Sequence, residues 1–301
     1  MDIKLTWLKD FLALAETKNF SRAAKLRFLS QPAFSRRIQS LENNLNCNLI
    51  NRYSQPVRLT EQGIIFEKTV KMILSKLDHC FAQLNSLSIE SAPVIFAATH
   101  TLSTGVFPTV LQHLNQQPSK INTKLKVADA DDCIEILLTG QCDYLIAFSD
   151  PKLNDLQVDS ILLDKVQLLP VCKADSYGQP IYKLTNKNQK LPYLAYQQNI
   201  YLGRVVAQLI NHSIDGLDLH KIIESSMADS LKMMALKGLG ITWLPEYCIR
   251  DELENKQLAL CDPSKFQQIL DVKIYKNKKE NLYLEPVWQC FKSLCSQNNL
   301  G

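Results

Sequence analysis

Between Asn19 and Leu45 the chain carries two helix signals so close together that few folds can hold both. Ser21 and Ser30 each stand where an N-cap belongs, so two short helices are predicted to begin nine residues apart. In the second, Phe34, Ile38, Leu41 and Leu45 recur at i, i+4, i+7 and i+11, one apolar stripe at helical period that must face a core. The outer face is left with Gln31, Pro32, Ser35, Arg36 and Gln39, whose donors and acceptors suit base edges and phosphates. Pro32 is tolerated in a first turn, where its missing N–H would have had no intrahelical partner. Ala23 and Ala24 let two helices cross closely, and Leu5, Leu8, Phe11, Leu12 and Ala15 supply a third helix for the pair to pack on. These features predict a helix-turn-helix that lays a polar, basic helix in the major groove of double-stranded DNA.

Charge follows the same segment. Residues 1–60 hold ten Lys or Arg and four acids, a net +6, while the whole chain is +4, so the remainder is slightly acidic and the basic excess belongs to the motif. Arg36, Ser35 and Gln31 are assigned to sequence readout, and Arg37, Arg52 and Arg58 to phosphates. Ser21, Arg22, Ser30, Pro32 and Gln39 complete the expected DNA face. Leu49 to Arg52 and Gln55 to Thr60 form two extended pieces around a Pro-containing turn, the pattern of a wing.

Thr60 and Gly63 open a long helix in which Val70, Ile73, Leu77, Cys80, Leu84 and Leu87 follow a 3-4-3-4-3 spacing. That is the seam of a short coiled coil, and it predicts dimerisation, with two DNA-binding units reading two half-sites.

Residues 1–88 resemble the DNA-binding domain and linker helix of the LysR-type transcriptional regulators. The resemblance lies in Phe11 to Glu16, Asn19 to Ala24, Ser30 to Ile38, Leu41-Glu42 and Arg58 to Gly63, in that family's order and spacing. It implies an α/β protein with an all-α N-terminal part: a winged helix-turn-helix over 1–60, a linker and dimerisation helix over 61–90, and a two-lobed, periplasmic-binding-protein-like sensor over 91–301. Lobe I is expected at about 91–163 and 267–301 and lobe II at about 164–266, the chain crossing near 161–166 and 264–269. Higher oligomers than a dimer, and RNA polymerase as a further partner, belong to the same expectation.

The residues beyond Pro93 agree with an α/β domain. Val94 to Ala98 reads as a buried strand and Leu102 to Leu114 as one helix, after which strand and helix signals alternate to the end of the chain. A cleft between two such lobes is a ready ligand site. Its expected lining is Thr99, His100, Thr101 and Ser103 after the first strand, Ala130 and Ser149 after the next two, and Gln198, Asn199, Tyr201, Ser226 and Met227 from the other lobe. Ala98 to Ser103, Tyr201 to Arg204, Ser225 to Met227 and Leu244 to Tyr247 resemble a hypochlorite-responsive branch of the family. This implies an oxidant as stimulus, with the Met227 thioether as its first target and Met233 and Met234 as packing residues. The alternative is a small organic anion or metabolite held between the lobes.

Nine cysteines form no C-x-x-C and no zinc spacing, and they are read as reduced thiols, with Cys133 and Cys142 flanking one helix as a conceivable thiol switch. No G-x-S-x-G, P-loop or H-E-x-x-H occurs, and Gly238-Leu239-Gly240 most simply ends a helix, so no enzyme, catalytic residue, metal or cofactor is expected. A thiol protein that consumes oxidants is the remaining enzymatic rival. No stretch has the length of a membrane-spanning helix, and a cytoplasmic protein is expected.

Overall fold

A computed structural model describes residues 3–85, 93–116, 121–154, 158–184, 190–213, 218–278 and 284–297. The chain divides into two compact units, one built from the N-terminal 89 residues and one from most of the remainder.

The first unit contains α1 (Leu5–Thr17), α2 (Phe20–Leu26), α3 (Gln31–Leu45), β1 (Ile50–Asn51), β2 (Arg58–Leu59) and α4 (Glu61–Asn85). Phe34, Ile38 and Leu41 of α3 are fully buried with Phe11, Leu14 and Ala23, and Leu45 packs at the margin, so the stripe faces the core as its period requires. β1 and β2 pair antiparallel, Ile50 opposite Leu59, and make the wing. The Thr60 hydroxyl accepts the Gly63 N–H at 3.0 Å and caps α4. Gly63 has no alternative here, because a Cβ would stand 2.1 Å from the Leu49 carbonyl oxygen.

Two expectations are corrected in this unit. The cap of α2 is Asn19, whose side chain accepts the Arg22 N–H at 3.0 Å, and Ser21 lies inside the helix. Asn and Ser are equally good caps, and the residue whose backbone is extended takes the position. Ser30 does occupy the cap position of α3, but its side chain makes no capping bond. Val70 is fully buried in the first unit's own core, beside Phe66 and Leu74, and leaves the proposed seam. Ile73 and Cys80 are exposed and Leu77 half-buried, while the Leu84 side chain and all of Leu87 lie outside the described residues. Heptad spacing marks an apolar face without naming what covers it, and at Val70 the cover is intramolecular.

The second unit runs β3 (Val94–Thr99), α5 (His100–Gly105), α6 (Phe107–Asn115), β4 (Thr123–Ala128), α7 (Ala130–Leu138), β5 (Tyr144–Phe148), α8 (Pro151–Asn154) and β6 (Val158–Lys173). It continues through β7 (Leu191–Tyr196), α9 (Tyr201–Ser213), β8 (Leu219–Ser225), α10 (Ala228–Leu236), β9 (Thr242–Pro245) and α11 (Arg250–Glu254). The last elements are β10 (Leu258–Leu260), α12 (Pro263–Phe266), β11 (Gln268–Asn277) and α13 (Glu285–Gln297). The single helix expected over 102–114 is two, because Pro108 in the first turn of α6 offers no N–H to continue α5.

One seven-stranded mixed sheet has the order β10-β6-β11-β5-β3-β4, with β9 also on β6. β4, β3 and β5 are parallel and belong to lobe I. β9 and β10 join the far end of β6 in lobe II, where β7 and β8 form a separate parallel pair. β6 is a single strand of 16 residues, and β11 runs antiparallel beside it from Gln268 to Asn277. β6 thereby links the strands on either side of it into one sheet. Phe96, Tyr144, Trp288 and Phe291 stack or meet edge-on under lobe I, and Trp243 is fully buried under lobe II with its indole N–H donated to the Phe266 carbonyl at 2.7 Å.

Candidate nucleic-acid interface and sensor cavity

On the outer face of α3, Gln31, Pro32, Arg36 and Gln39 are exposed and Ser35 is half-buried. Ser21 donates to the Gln31 side-chain oxygen at 3.3 Å, which ties the start of α2 to the start of α3. Arg22 and Arg58 are exposed as well, so this face presents guanidinium, amide and hydroxyl groups together.

Two of the arginines assigned to phosphates have structural partners. Arg37 Nη1 and Arg27 Nε donate to the two oxygens of Asp10, at 3.1 and 2.7 Å, and Asp10 is fully buried. Arg52 Nη2 donates to Glu42 Oε2 at 2.7 Å and lies over the Phe20 ring at 5.7 Å. The other Glu42 oxygen accepts the Leu49 and Ile50 N–H groups at 2.9 and 3.1 Å. Glu42 therefore joins the recognition helix to the first strand of the wing, and Arg52 completes its charge balance. None of this is visible in the sequence, because Asp10 and Arg37 are 27 residues apart and no local period relates them.

In the sensor unit the expected cleft residues fall into two groups. Thr99 ends β3 with its hydroxyl buried and without a partner among the described residues, and Thr101 is buried on α5. Tyr247 lies against that helix: a Cβ on Gly105 would stand 2.1 Å from its ring. Tyr196, at the end of β7, is buried beside Tyr247 and Cys248, with no hydrogen-bond partner for its hydroxyl among the described residues. Burial raises the tyrosine hydroxyl well above its ordinary range and the Cys248 thiol to about 12, so both stay protonated at neutral pH. Met227 is the N-cap of α10 and 41 % exposed, and Ser226 beside it is half-buried. Met233 is exposed, contrary to the packing role expected for it, whereas Met234 packs against the core.

Ser149 and Tyr201 belong to the second group. They line a cavity of about 500 Å³ together with Val205, Gln208, Gln268 and Asp271, where α9 faces the root of β11. Tyr201 stacks on Phe148 with ring centres 5.5 Å apart and donates to the Ser149 carbonyl at 3.1 Å. Next to it Arg204 donates to Asp150 at 3.1 Å and to the Asn199 carbonyl at 2.7 Å. Lys152 pairs with Asp131 at 2.8 Å. Arg204 and Asp150 thus fasten α9 to the end of β5, an ion pair that sequence reading missed for want of any short-range spacing. His100 and Gln198 are exposed, Asn199 offers its carbonyl to Arg204, Ala130 opens α7, and the Ser103 hydroxyl is turned back to the His100 carbonyl at 2.7 Å. Among the described residues no group of three or more His, Cys, Asp or Glu could hold a metal ion, and no helix is long and apolar enough to cross a membrane.

Winged helix-turn-helix and two-lobed α/β unit together match two family descriptions: "Bacterial regulatory helix-turn-helix protein, lysR family" over residues 5–64 and "LysR substrate binding domain" over residues 90–296. The chain belongs to the LysR-type, DNA-binding transcriptional regulators, a family of regulators and not of enzymes. It is 34 % identical over 295 residues to the HTH-type transcriptional regulator YjiE of Escherichia coli K12, covering 97 % of this chain and 95 % of that one. Among solved structures it is similar to Vibrio fischeri DarR in complex with DNA, at 34 % identity and a TM-score of 0.62, with 99 % of this chain and 100 % of that chain covered. It is likewise similar to full-length HypT of Salmonella typhimurium, a hypochlorite-specific LysR-type regulator, at 34 % identity and a TM-score of 0.63, with 99 % of each chain covered.

Proposed function

We propose that the chain acts as a homo-oligomer on dyad-related DNA and that its sensor unit responds to an oxidant of the hypochlorite type. The observation that carries the oxidant reading is Met227: its thioether is exposed at the first turn of a helix, beside Ser226, where conversion to a polar sulfoxide changes local hydrogen bonding. The name of the relative HypT supports the same stimulus. Oligomerisation is supported by the exposed apolar residues Ile65, Ile73 and Phe81 on α4, with the relatives' structures pointing the same way. In this reading Arg36, Ser35 and Gln31 read bases, Arg22 and Arg58 meet phosphates, and Arg37 and Arg52 hold the recognition helix and wing in position.

A second reading rests on the cavity at Ser149, Tyr201 and Asp271, whose volume of about 500 Å³ suits a small organic effector. Either stimulus moves the assembly only as far as it interacts differently with two arrangements. Genome-wide footprinting with and without hypochlorite identifies target sites and stimulus together. A footprint unchanged by hypochlorite, or a Met227→Leu protein that responds like the parent, overturns the oxidant reading at this residue.

A further inference from the structure

Cys172 and Cys261 are both free thiols and both fully buried. Cys172 lies on β6 opposite Ala259 of β10, and Cys261 follows two residues later with its N–H donated to the Pro170 carbonyl at 2.9 Å. Two residues along a strand return a side chain to the same face, so the sulfurs are diagonal neighbours across the β6–β10 ladder. The Cys261 S–H points to the carbonyl of Ala259, the residue directly opposite Cys172, at 3.9 Å, which leaves the two thiols side by side on one face.

That placement makes the two sulfurs unequal. The neighbouring Cys261 favours the thiolate at Cys172 and moves its pKa down, while Cys261 is moved up by its neighbour and by burial. Burial moves Cys133, Cys142, Cys248 and Cys290 up. The pair therefore has the arrangement of an attacking and a resolving thiol. Access comes from position, since β10 is a three-residue strand at the sheet edge, where local opening costs less than opening the centre.

We propose that Cys172 and Cys261 close a reversible intramolecular disulfide under a small two-electron oxidant, a hydroperoxide or hypohalous acid. With hydrogen peroxide, the Cys172 sulfur attacks one oxygen, the O–O bond breaks, and the departing hydroxide leaves as water, giving a sulfenic acid. The Cys261 sulfur then displaces hydroxide from it, which takes the Cys261 proton. Two thiols and one peroxide become one disulfide and two waters. With hypochlorous acid the intermediate is a sulfenyl chloride, and the products are the disulfide, water and HCl.

The bond has a route to the rest of the sensor. A disulfide brings Cα atoms to about 4.4–6.8 Å, whereas diagonal neighbours on paired strands stand about 7–8 Å apart. Closure thus draws Cys261 toward β6. Cys261 leads through Asp262, in the left-handed region at φ 52°, into α12 and then β11, which pairs with β6. Oxidation there resets the foot of β11 independently of Met227.

The test uses full-length reduced protein given one equivalent of hydrogen peroxide or hypochlorite, digested without reductant and mapped by mass spectrometry. The expected result is a Cys172–Cys261 linked peptide, two mass units below the sum of its free parts and released by dithiothreitol. Recovery of the two peptides unlinked overturns the proposal, whether or not any variant folds. In parallel, operator affinity followed by anisotropy is expected to shift about fivefold on oxidation in Met227→Leu, where the thioether's own contribution is gone, but not in Met227→Leu carrying C172S or C261S. A linkage that leaves affinity unchanged overturns its regulatory role. Loss of the response in Met227→Leu with the linkage intact assigns the effect to the thioether and overturns that role too.

Discussion

In the DNA-binding unit the buried carboxylates of Asp10 and Glu42 each meet at least two donors, whereas in the sensor unit the hydroxyls of Thr99, Tyr196 and Thr242 are buried without a hydrogen-bond partner among the described residues. A buried polar group left unpaired costs about 1–3 kcal/mol, so the two units are built to different ends. The first uses its interior charges to fix the angle between recognition helix and wing. The second keeps unsatisfied donors in its interior, several of them around Tyr196 and Tyr247, where a ligand or a changed side chain can meet them. Stability concentrated in the reader, and unmet hydrogen bonding concentrated in the sensor, is a division that lets one unit change state while the other holds its shape.

The contrast can be broken most directly at Asp10. Asp10→Ala leaves Arg27 and Arg37 without their shared carboxylate, and the first unit is expected to lose on the order of 3 kcal/mol in denaturant unfolding; a loss below a few tenths would mean the charges are not structural. Gly63→Ala forces a Cβ against the Leu49 carbonyl and is expected to cost about 2 kcal/mol, read from the same transition, with DNA affinity falling alongside. Arg36→Ala is expected to relax discrimination between operator and mismatched duplex by about tenfold in anisotropy titrations, with the unfolding midpoint unchanged. Equal losses on specific and random duplexes would instead place Arg36 with the phosphates. The smallest effect is expected for Tyr196→Phe: removing an unpartnered hydroxyl should leave stability level or raise it by up to about 1 kcal/mol in thermal unfolding. A marked loss would show that the hydroxyl has a partner in solution.

The same contrast explains what the sequence could reveal. The stripe Phe34, Ile38 and Leu41 specifies a helix and its inward face together, and the capped start of α4 at Thr60 is equally local. Asn19 and Ser21 compete for one cap with the same chemistry, and only the backbone decides between them. Val70 fits a heptad and a core stripe alike, so spacing alone assigned it to a partner helix that it does not face. The bonds that position the DNA face, Arg37 to Asp10 and Arg52 to Glu42, join residues that only the finished packing brings together. In the sensor, Ser149 and Tyr201 do line a common cavity, but its other walls come from Gln268 and Asp271 on the returning strand, 119 and 122 residues from Ser149 in sequence. Met227 stands at a helix start that the residues themselves specify, while the nearness of Cys172 to Cys261 depends on strand register that composition does not encode.

β6 carries a mechanical consequence. A strand of 16 residues that serves both lobes, bonded to β11 over nearly the whole of the latter, means that the lobes are joined by a continuous two-ply ribbon and not by a pair of loose joints. Such a ribbon resists shear and stretch because either would break ladder hydrogen bonds, but it yields to twist. The register irregularity between Val272 and Lys273 marks where that twist is easiest. Of the deformations open to the ribbon, twist is the one its ladder hydrogen bonds oppose least.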